Sequence, residues 1–265
     1  MLSGCLFAMW LSAHEATCIL TNVAIQQGAI MKQAFIVTVS SSKGGAGKTS
    51  TTMGLADYWS KRGMRVGLID TDPNRSLARW IEKGREKGEF ADIAFQHEPD
   101  DKKIIATARE LSRDSDVVLI DVAGIASISL LKAAGIADLV IIPAQPNEDD
   151  FLEAINTRNI VREAMELTDR VVACKTVITR ARPGTVVLKH ILAQLEKLKF
   201  PLFETVLYER TVFPQARFMG QTPIGYAPGS DGARNIAEFG DEVMGMLTTM
   251  RAQKEMQQSD SSVAA

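Results

Sequence analysis

Residues 31–50 read MKQAFIVTVSSSKGGAGKTS, and this stretch decides the fold. The apolar run Phe35–Ser40 feeds directly into a glycine-rich loop, and the loop opens onto a helical pattern over residues 49–61. Strand, Gly-rich loop and helix in that order are the context a phosphate-binding loop requires. The glycines let successive backbone N–H groups turn inward on phosphate oxygens, and the helix N-terminus adds a favourable dipole. Gly44, Gly45, Ala46, Gly47, Lys48, Thr49 and Ser50 are therefore expected to line a phosphate site. Lys48 is placed to neutralise β- and γ-phosphates and the Thr49 hydroxyl to ligate Mg²⁺. The alternative, a Gly-rich turn with a chance lysine, does not account for the ordered flanks. The usual consensus G-x-x-x-x-G-K-[ST] fails at its first position, which is Ser42; a lysine, Lys43, precedes the double glycine instead.

Outward from this loop, short apolar runs alternate with helical patterns. The runs are 35–40, 66–70, 117–121, 139–143, 171–179 and 205–208. They are rich in Val, Ile and Leu without in–out alternation, so they read as strands buried on both faces. Helical patterns fall at 49–61, 76–87, 101–113, 127–136, 149–167, 185–198 and 234–254, and Gly63 sits where a helix-ending glycine belongs. The expected fold is α/β, a parallel doubly wound sheet flanked by helices. Residues 31–254 read as one domain, residues 1–30 as an extension ahead of it, and residues 255–265 as a disordered tail.

Two strand ends carry carboxylates. GLIDTDPNRSLARW, residues 67–80, leaves Asp70 and Asp72 at the carboxyl edge, where α/β sheets bind ligands. Asp70 could hold a Mg²⁺-bound water and Asp72 could orient an attacking water. DVVLIDVAG, residues 116–124, delivers Asp121 to the Mg²⁺ hydration shell, and Gly124 lets backbone approach the terminal phosphate. Taken alone, an Asp-x-Asp-Pro turn is more often only a turn; its position after the loop is what gives it weight.

KGGAGKT, residues 43–49, resembles the deviant Walker A box of the ParA/MinD group of P-loop ATPases. The resemblance extends over DTDP (Asn74 standing where relatives carry Gln), DLVIIPAQPNEDDF at 138–151 and TVITRARPG at 176–184, closest to small ParF-like partition ATPases, with VirC-type transfer ATPases near relatives. It implies ATP and Mg²⁺ as cofactors and ATP hydrolysis stimulated by a partner. It also implies a homodimer formed on ATP binding, in which Lys43 reaches the partner's phosphates. Lys43, Lys48, Asp72 and Asp121 then carry catalysis, and Thr49, Asp70 and Asp121 serve the metal. Arg180, where many relatives carry Asn, and Tyr226 and Pro228 of the turn-rich loop 222–235 become candidate base contacts. A ParB- or ParG-like centromere-binding adaptor and non-specific DNA are the implied partners.

The 265 residues carry 30 Lys and Arg against 32 Asp and Glu, a net charge of −2, which excludes a uniformly basic surface. DNA contact must come from a local patch, with Lys189, Lys197, Lys199, Arg210 and Arg217 as candidates; each singly is more often a solvated charge. Three cysteines without ligand spacing fit a reducing cytoplasm and argue against an iron–sulfur carrier. A MinD-like membrane switch needs a basic amphipathic C-terminus, and MRAQKEMQQSDSSVAA lacks it, so no membrane partner is expected. A P-loop metabolic enzyme shares the fold and is opposed by Lys43; an ATP-binding scaffold without turnover is opposed by the intact Lys48, Thr49, Asp72 and Asp121.

Overall fold

The structure is a computed structural model that describes residues 33–263 apart from 125–126. In chain order it runs β1 (Phe35–Val39), α1 (Lys48–Lys61), β2 (Val66–Asp70), α2 (Ser76–Arg85), β3 (Ile93–His97), α3 (Ile104–Leu111), β4 (Val117–Asp121) and α4 (Ser127–Ile136). Then follow β5 (Leu139–Ala144), α5 (Glu148–Thr168), β6 (Ala173–Ile178), α6 (Val186–Lys197), α7 (Val212–Phe218), α8 (Pro223–Tyr226) and α9 (Asp231–Val263). The strands form one parallel sheet in the order β3-β2-β4-β1-β5-β6.

Strand side chains alternate between two apolar layers. Val37, Val39, Leu68 and Leu119 face Leu55, Trp59, Trp80 and Phe239 of α1, α2 and α9. Ile36, Ile69, Ile120 and Ile142 face Ala108, Leu130, Phe151 and Leu188 of α3 to α6. Helices on both faces explain why the strands read as unbroken hydrophobic runs. Each fully buried aliphatic contributes roughly 1.5–3 kcal/mol of transfer free energy. α1 and α9 pack closely because Gly240 lies against Tyr58, where a Cβ would come within 2.4 Å of the ring, and Trp59 Nε1 donates to the Gly240 carbonyl at 3.2 Å.

The register sets up the site. Val39 and Asp70 both pair with Asp121, so the loop after β1 and the carboxylates ending β2 and β4 meet at one sheet edge.

Four expectations differ from the structure. β3 joins the sheet at its edge beside β2, with only Ile93 of its five residues buried, so it carried little of the apolar signal of an inner strand. Residues 205–208 follow the edge of β6 without becoming a strand. Glu204 and Thr205 donate their N–H groups to Glu242, and Tyr208 donates to Asn235 Oδ1, leaving isolated bridges. The region after Tyr208 holds two short helices, α7 and α8, the second opened by Pro223 at a position that needs no N–H. Finally, α9 continues past Lys254 to Val263, so most of the expected disordered tail is helix. A helix nucleated on the core by Phe239, Val243 and Leu247 propagates through good formers such as Gln and Met. The extension read at residues 1–30 lies outside the described residues. No described helix is long and apolar enough to cross a membrane.

Candidate functional site

The loop between β1 and α1 is shaped by two glycines in the left-handed region, Gly45 at φ 83° and Gly47 at φ 97°, conformations that other residues adopt only with strain. It is pinned from the neighbouring strand ends. Thr179 Oγ1 donates to the Ala46 carbonyl at 2.7 Å, and Gln145 Nε2 to the Gly45 carbonyl at 3.3 Å.

Lys48 folds back under the loop, its Nζ donating to the Lys43 carbonyl at 3.0 Å. Burial lowers its pKa, opposed by the charges of Asp121 and Asp72. Gly124 passes directly beneath: a Cβ there would lie 3.1 Å from Lys48 Nζ and from the Ser41 and Ser42 carbonyl oxygens.

Asp121 is 4% exposed. Burial pushes its carboxyl up to about 7; the Thr49 hydroxyl and Lys48 oppose the rise, while Asp70 and Asp72 add to it. A buried carboxylate raised this far, touching a hydroxyl at the helix start, suits a divalent cation, whose charge would keep it ionised. Among the described residues no group of three or more His, Cys, Asp or Glu could hold an ion by itself. Thr49 and Asp121 would therefore hold Mg²⁺ only together with phosphate oxygens and water, as this ion prefers.

Asp70 does a different job from the one expected of it. It is fully buried, and its Oδ2 accepts the N–H groups of Leu77 (3.2 Å) and Ala78 (2.9 Å), while Oδ1 accepts that of Asp72 (3.0 Å). The first two are orphan donors at the start of α2, so Asp70 caps that helix and fixes the turn that presents Asp72. It lines neither cavity described below. Asp72 does reach the phosphate cavity; its Oδ1 accepts from the Asn74 backbone N–H at 2.9 Å and side chain at 3.0 Å.

Lys43 points away from that cavity. Its ammonium lies 2.6 Å from Asp150 Oδ1 and 3.8 Å from Asp149 Oδ2, and the hydrogen bond to Asp150 holds its pKa above the ordinary lysine value. Asp150 is itself buried and fixed by the Gln145 N–H at 2.8 Å.

Two cavities flank the loop. One, of about 560 Å³, is lined by Gly44, Lys48, Thr49, Asp72 and Gly124 among others. The second, of about 640 Å³, is more apolar and has Leu55, Leu207, Tyr208, Phe213 and Phe239 in its walls. Gly47, Ser50, Arg180 and Arg217 line both. A polar phosphate cradle joined to an apolar chamber matches the two ends of a nucleotide. Arg180, expected near the base, stands at the junction of the two cavities. Tyr226 and Pro228 are exposed and line neither cavity; α8 turns them outward, and the aromatic wall comes from Tyr208 and Phe213 instead. Arg210 and Arg217, expected on a DNA-binding surface, also line the apolar chamber. The apolar run 205–208 is the sequence signal near this wall, and its pattern points to a strand rather than to a chamber.

Comparison with known proteins identifies the family. The family model described as VirC1 protein matches residues 34–228. The chain is 32% identical over 182 residues to Protein ParA of Rhizobium radiobacter, covering 67% of this chain and 80% of that protein. It is 28% identical to Protein virC1 of the same organism, covering 70% and 81%. Among solved structures, the ATP complex of a Cyanothece McdA variant superposes with a TM-score of 0.65 at 19% identity, covering 81% of this chain and 97% of that one; this likeness concerns the fold. The chain belongs to the VirC1 family of ParA-like P-loop ATPases.

Proposed function

We propose that this chain is an ATP-driven switch that partitions DNA, cycling between a monomer and an ATP-sandwich homodimer. The observation that carries this is Lys43: it sits on the phosphate loop yet lines none of its own phosphate cavity, its ammonium parked on Asp150 2.6 Å away. A partly exposed loop lysine that is held off its own phosphate cavity could leave Asp150 for a second copy's nucleotide. In this reading Lys48 and the loop N–H groups bind the phosphates, and Mg²⁺ held by Thr49 and Asp121 neutralises developing charge. Asp72 orients the attacking water, and its Asn74 contacts keep the carboxylate at the cavity wall. The apolar chamber, with Tyr208 and Phe213, takes the base. The dimer binds non-specific DNA on the cytoplasmic nucleoid, and a ParB- or ParG-like adaptor stimulates hydrolysis.

Light scattering after size exclusion tests the cycle with Mg–ATP, Mg–ADP and no nucleotide. Asp72→Ala is expected to accumulate a dimer with ATP only, and adding Lys43→Ala to return it to monomer. A dimer in all three states, or one that survives loss of Lys43, overturns the switch. A second reading, ATP-dependent DNA transfer, is favoured by the VirC1 family match. Deleting the gene separates the two: plasmid loss without a change in transfer frequency supports partition, and the reverse supports transfer.

A further inference from the structure

Two guanidinium groups stand at the seam between the cavities. Arg180 and Arg217 line both the phosphate cradle and the apolar chamber. Among the described residues neither guanidinium has a hydrogen bond or a carboxylate within ion-pair distance, and that of Arg217 lies over the Trp80 ring, 5.0 Å from its centroid. Partial burial lowers the Arg217 pKa, the Arg79 charge adds to that, Asp121 opposes it, and Arg180 adds a smaller push in the same direction as Arg79. Other guanidinium groups of the chain are paired with carboxylates, among them Arg182 with Glu209 at 2.7 Å and Arg65 with Asp116 at 2.8 Å. Both seam arginines are exposed, so an anion arriving between them would meet two guanidinium groups with free donors.

The placement of Arg217 is built. Trp80 is 5% exposed, and its Nε1 donates to the Gln221 carbonyl at 3.2 Å, so the platform and the turn after α7 are tied together. That turn is pressed on α2, where a Cβ at Gly84 would come 2.7 Å from the Gly220 carbonyl oxygen. It is also latched to α1, through the Thr222 hydroxyl on buried Asp57, and to Glu89 by Gln221 Nε2 at 2.6 Å. A planar guanidinium stacked on an indole keeps its fork of donors free and oriented, which a lysine ammonium cannot do.

We infer that Arg217 is a nucleotide clamp, its guanidinium gripping the diphosphate portion of the bound nucleotide at the seam shared by the two cavities. The inference rests on the nucleotide-binding reading above. The diphosphate is chosen by position. Gly47 and Ser50 of the phosphate loop face the seam as Arg217 does, whereas Asp72 and Gly124 line the phosphate cradle alone and mark the terminal-phosphate end. The group at the seam is thus common to ATP and ADP.

Calorimetric titration of the full chain with Mg–ADP and with Mg–ATP tests it. Arg217→Ala is expected to weaken both by a similar factor of about 10 to 100, the usual worth of a hydrogen-bonded charge. Arg217→Lys falls between, because it keeps the charge and loses the stacked fork. Thermal melts without nucleotide check that the variants are folded. Lys48→Ala is measured alongside. If it abolishes binding while Arg217→Ala keeps parental ADP affinity, the clamp is overturned and the phosphate-loop reading stands. If the parental chain binds no nucleotide, the underlying reading fails as well. A loss confined to ATP moves Arg217 to the terminal phosphate and overturns the diphosphate assignment. Parental nucleotide affinity with weakened duplex binding returns Arg217 to a DNA-binding surface.

Discussion

Replacing Asp121 by Asn is expected to stabilise the nucleotide-free protein at alkaline pH while removing Mg²⁺-dependent nucleotide binding. Burial carries this carboxyl from 3.8 to about 7 in the folded chain. A rise of about three pH units corresponds to about 4 kcal/mol, an upper bound on what the buried ionised form costs. The folded state holds the proton more tightly than the unfolded chain, so stability falls as pH rises from about 4 to about 7 and the full cost stands above that window. Asn carries no charge to desolvate, but its amide must find an acceptor where the Thr49 hydroxyl now serves a carboxylate, and a mismatch there returns about 1–2 kcal/mol. The variant should therefore gain about 2 kcal/mol over the parent at pH 8, and gain nothing or lose slightly at pH 5. Urea unfolding of both proteins without nucleotide measures this. Asp57 and Asp70 are also raised by burial and tilt the parental curve the same way, so the informative quantity is the difference between parent and variant, in which the Asp57 contribution cancels and that of Asp70, which interacts with Asp121, is reduced. A variant less stable than the parent at pH 8, or a difference that is the same at both pH values, refutes the reasoning.

Asp72→Ala should retain ATP binding and lose turnover, since Asp72 meets the phosphate cavity only from its wall; phosphate release at the parental rate would remove it from catalysis. Gly124→Ala places a methyl 3.1 Å from two loop carbonyl oxygens and from Lys48 Nζ, so the loop must shift and ATP affinity should drop about tenfold or more, about 1.4 kcal/mol; calorimetry showing parental affinity would contradict the close approach. Thr222→Val deprives buried Asp57 of its hydroxyl donor and should cost about 1–3 kcal/mol at pH 8. The cost should shrink at acid pH, where the carboxyl, already raised by burial, takes up a proton; an unchanged urea midpoint at pH 8 would show the latch to be idle.

The features readable from the sequence are those whose cause is local. The phosphate loop announces itself because only glycine tolerates φ near 90° at Gly45 and Gly47, and Lys48, Thr49, Asp72 and Asp121 follow at strand ends that the apolar runs mark directly. What escapes depends on contacts distant in sequence. Asp70 has the same strand-end pattern as Asp121, and their strands are in register. Only the fold reveals that Asp70 is consumed by three N–H groups in and just before α2 while Asp121 meets the Thr49 hydroxyl. β3 pairs on one side only and so needs few apolar residues.

The same distinction decides where DNA could bind. Arg210 and Arg217 look, in sequence, like surface charges in a basic C-terminal half. Their direction is fixed by partners distant in sequence, Trp80 beneath Arg217 and Asp231 beside Arg210, with neighbouring Tyr208 also against Arg210. Both line the apolar chamber. Of the five candidates, that leaves Lys189 and Lys197 on α6 and Lys199 just beyond it, all exposed, for a phosphate backbone. Three lysines make a weak site, because phosphate binding grows steeply with the number of contacts. Two copies would bring twice as many, so an ATP-dependent dimer is what could turn this patch into a DNA-binding surface. Neutralising Lys189 and Lys197 together should therefore lower duplex affinity and flatten its salt dependence in the ATP state, while nucleotide affinity, proposed to depend on Lys48 and Arg217, stays at the parental level. Surface binding of non-specific duplex over a salt series measures both, and a salt slope unchanged in the double variant would place the DNA contact elsewhere on the chain.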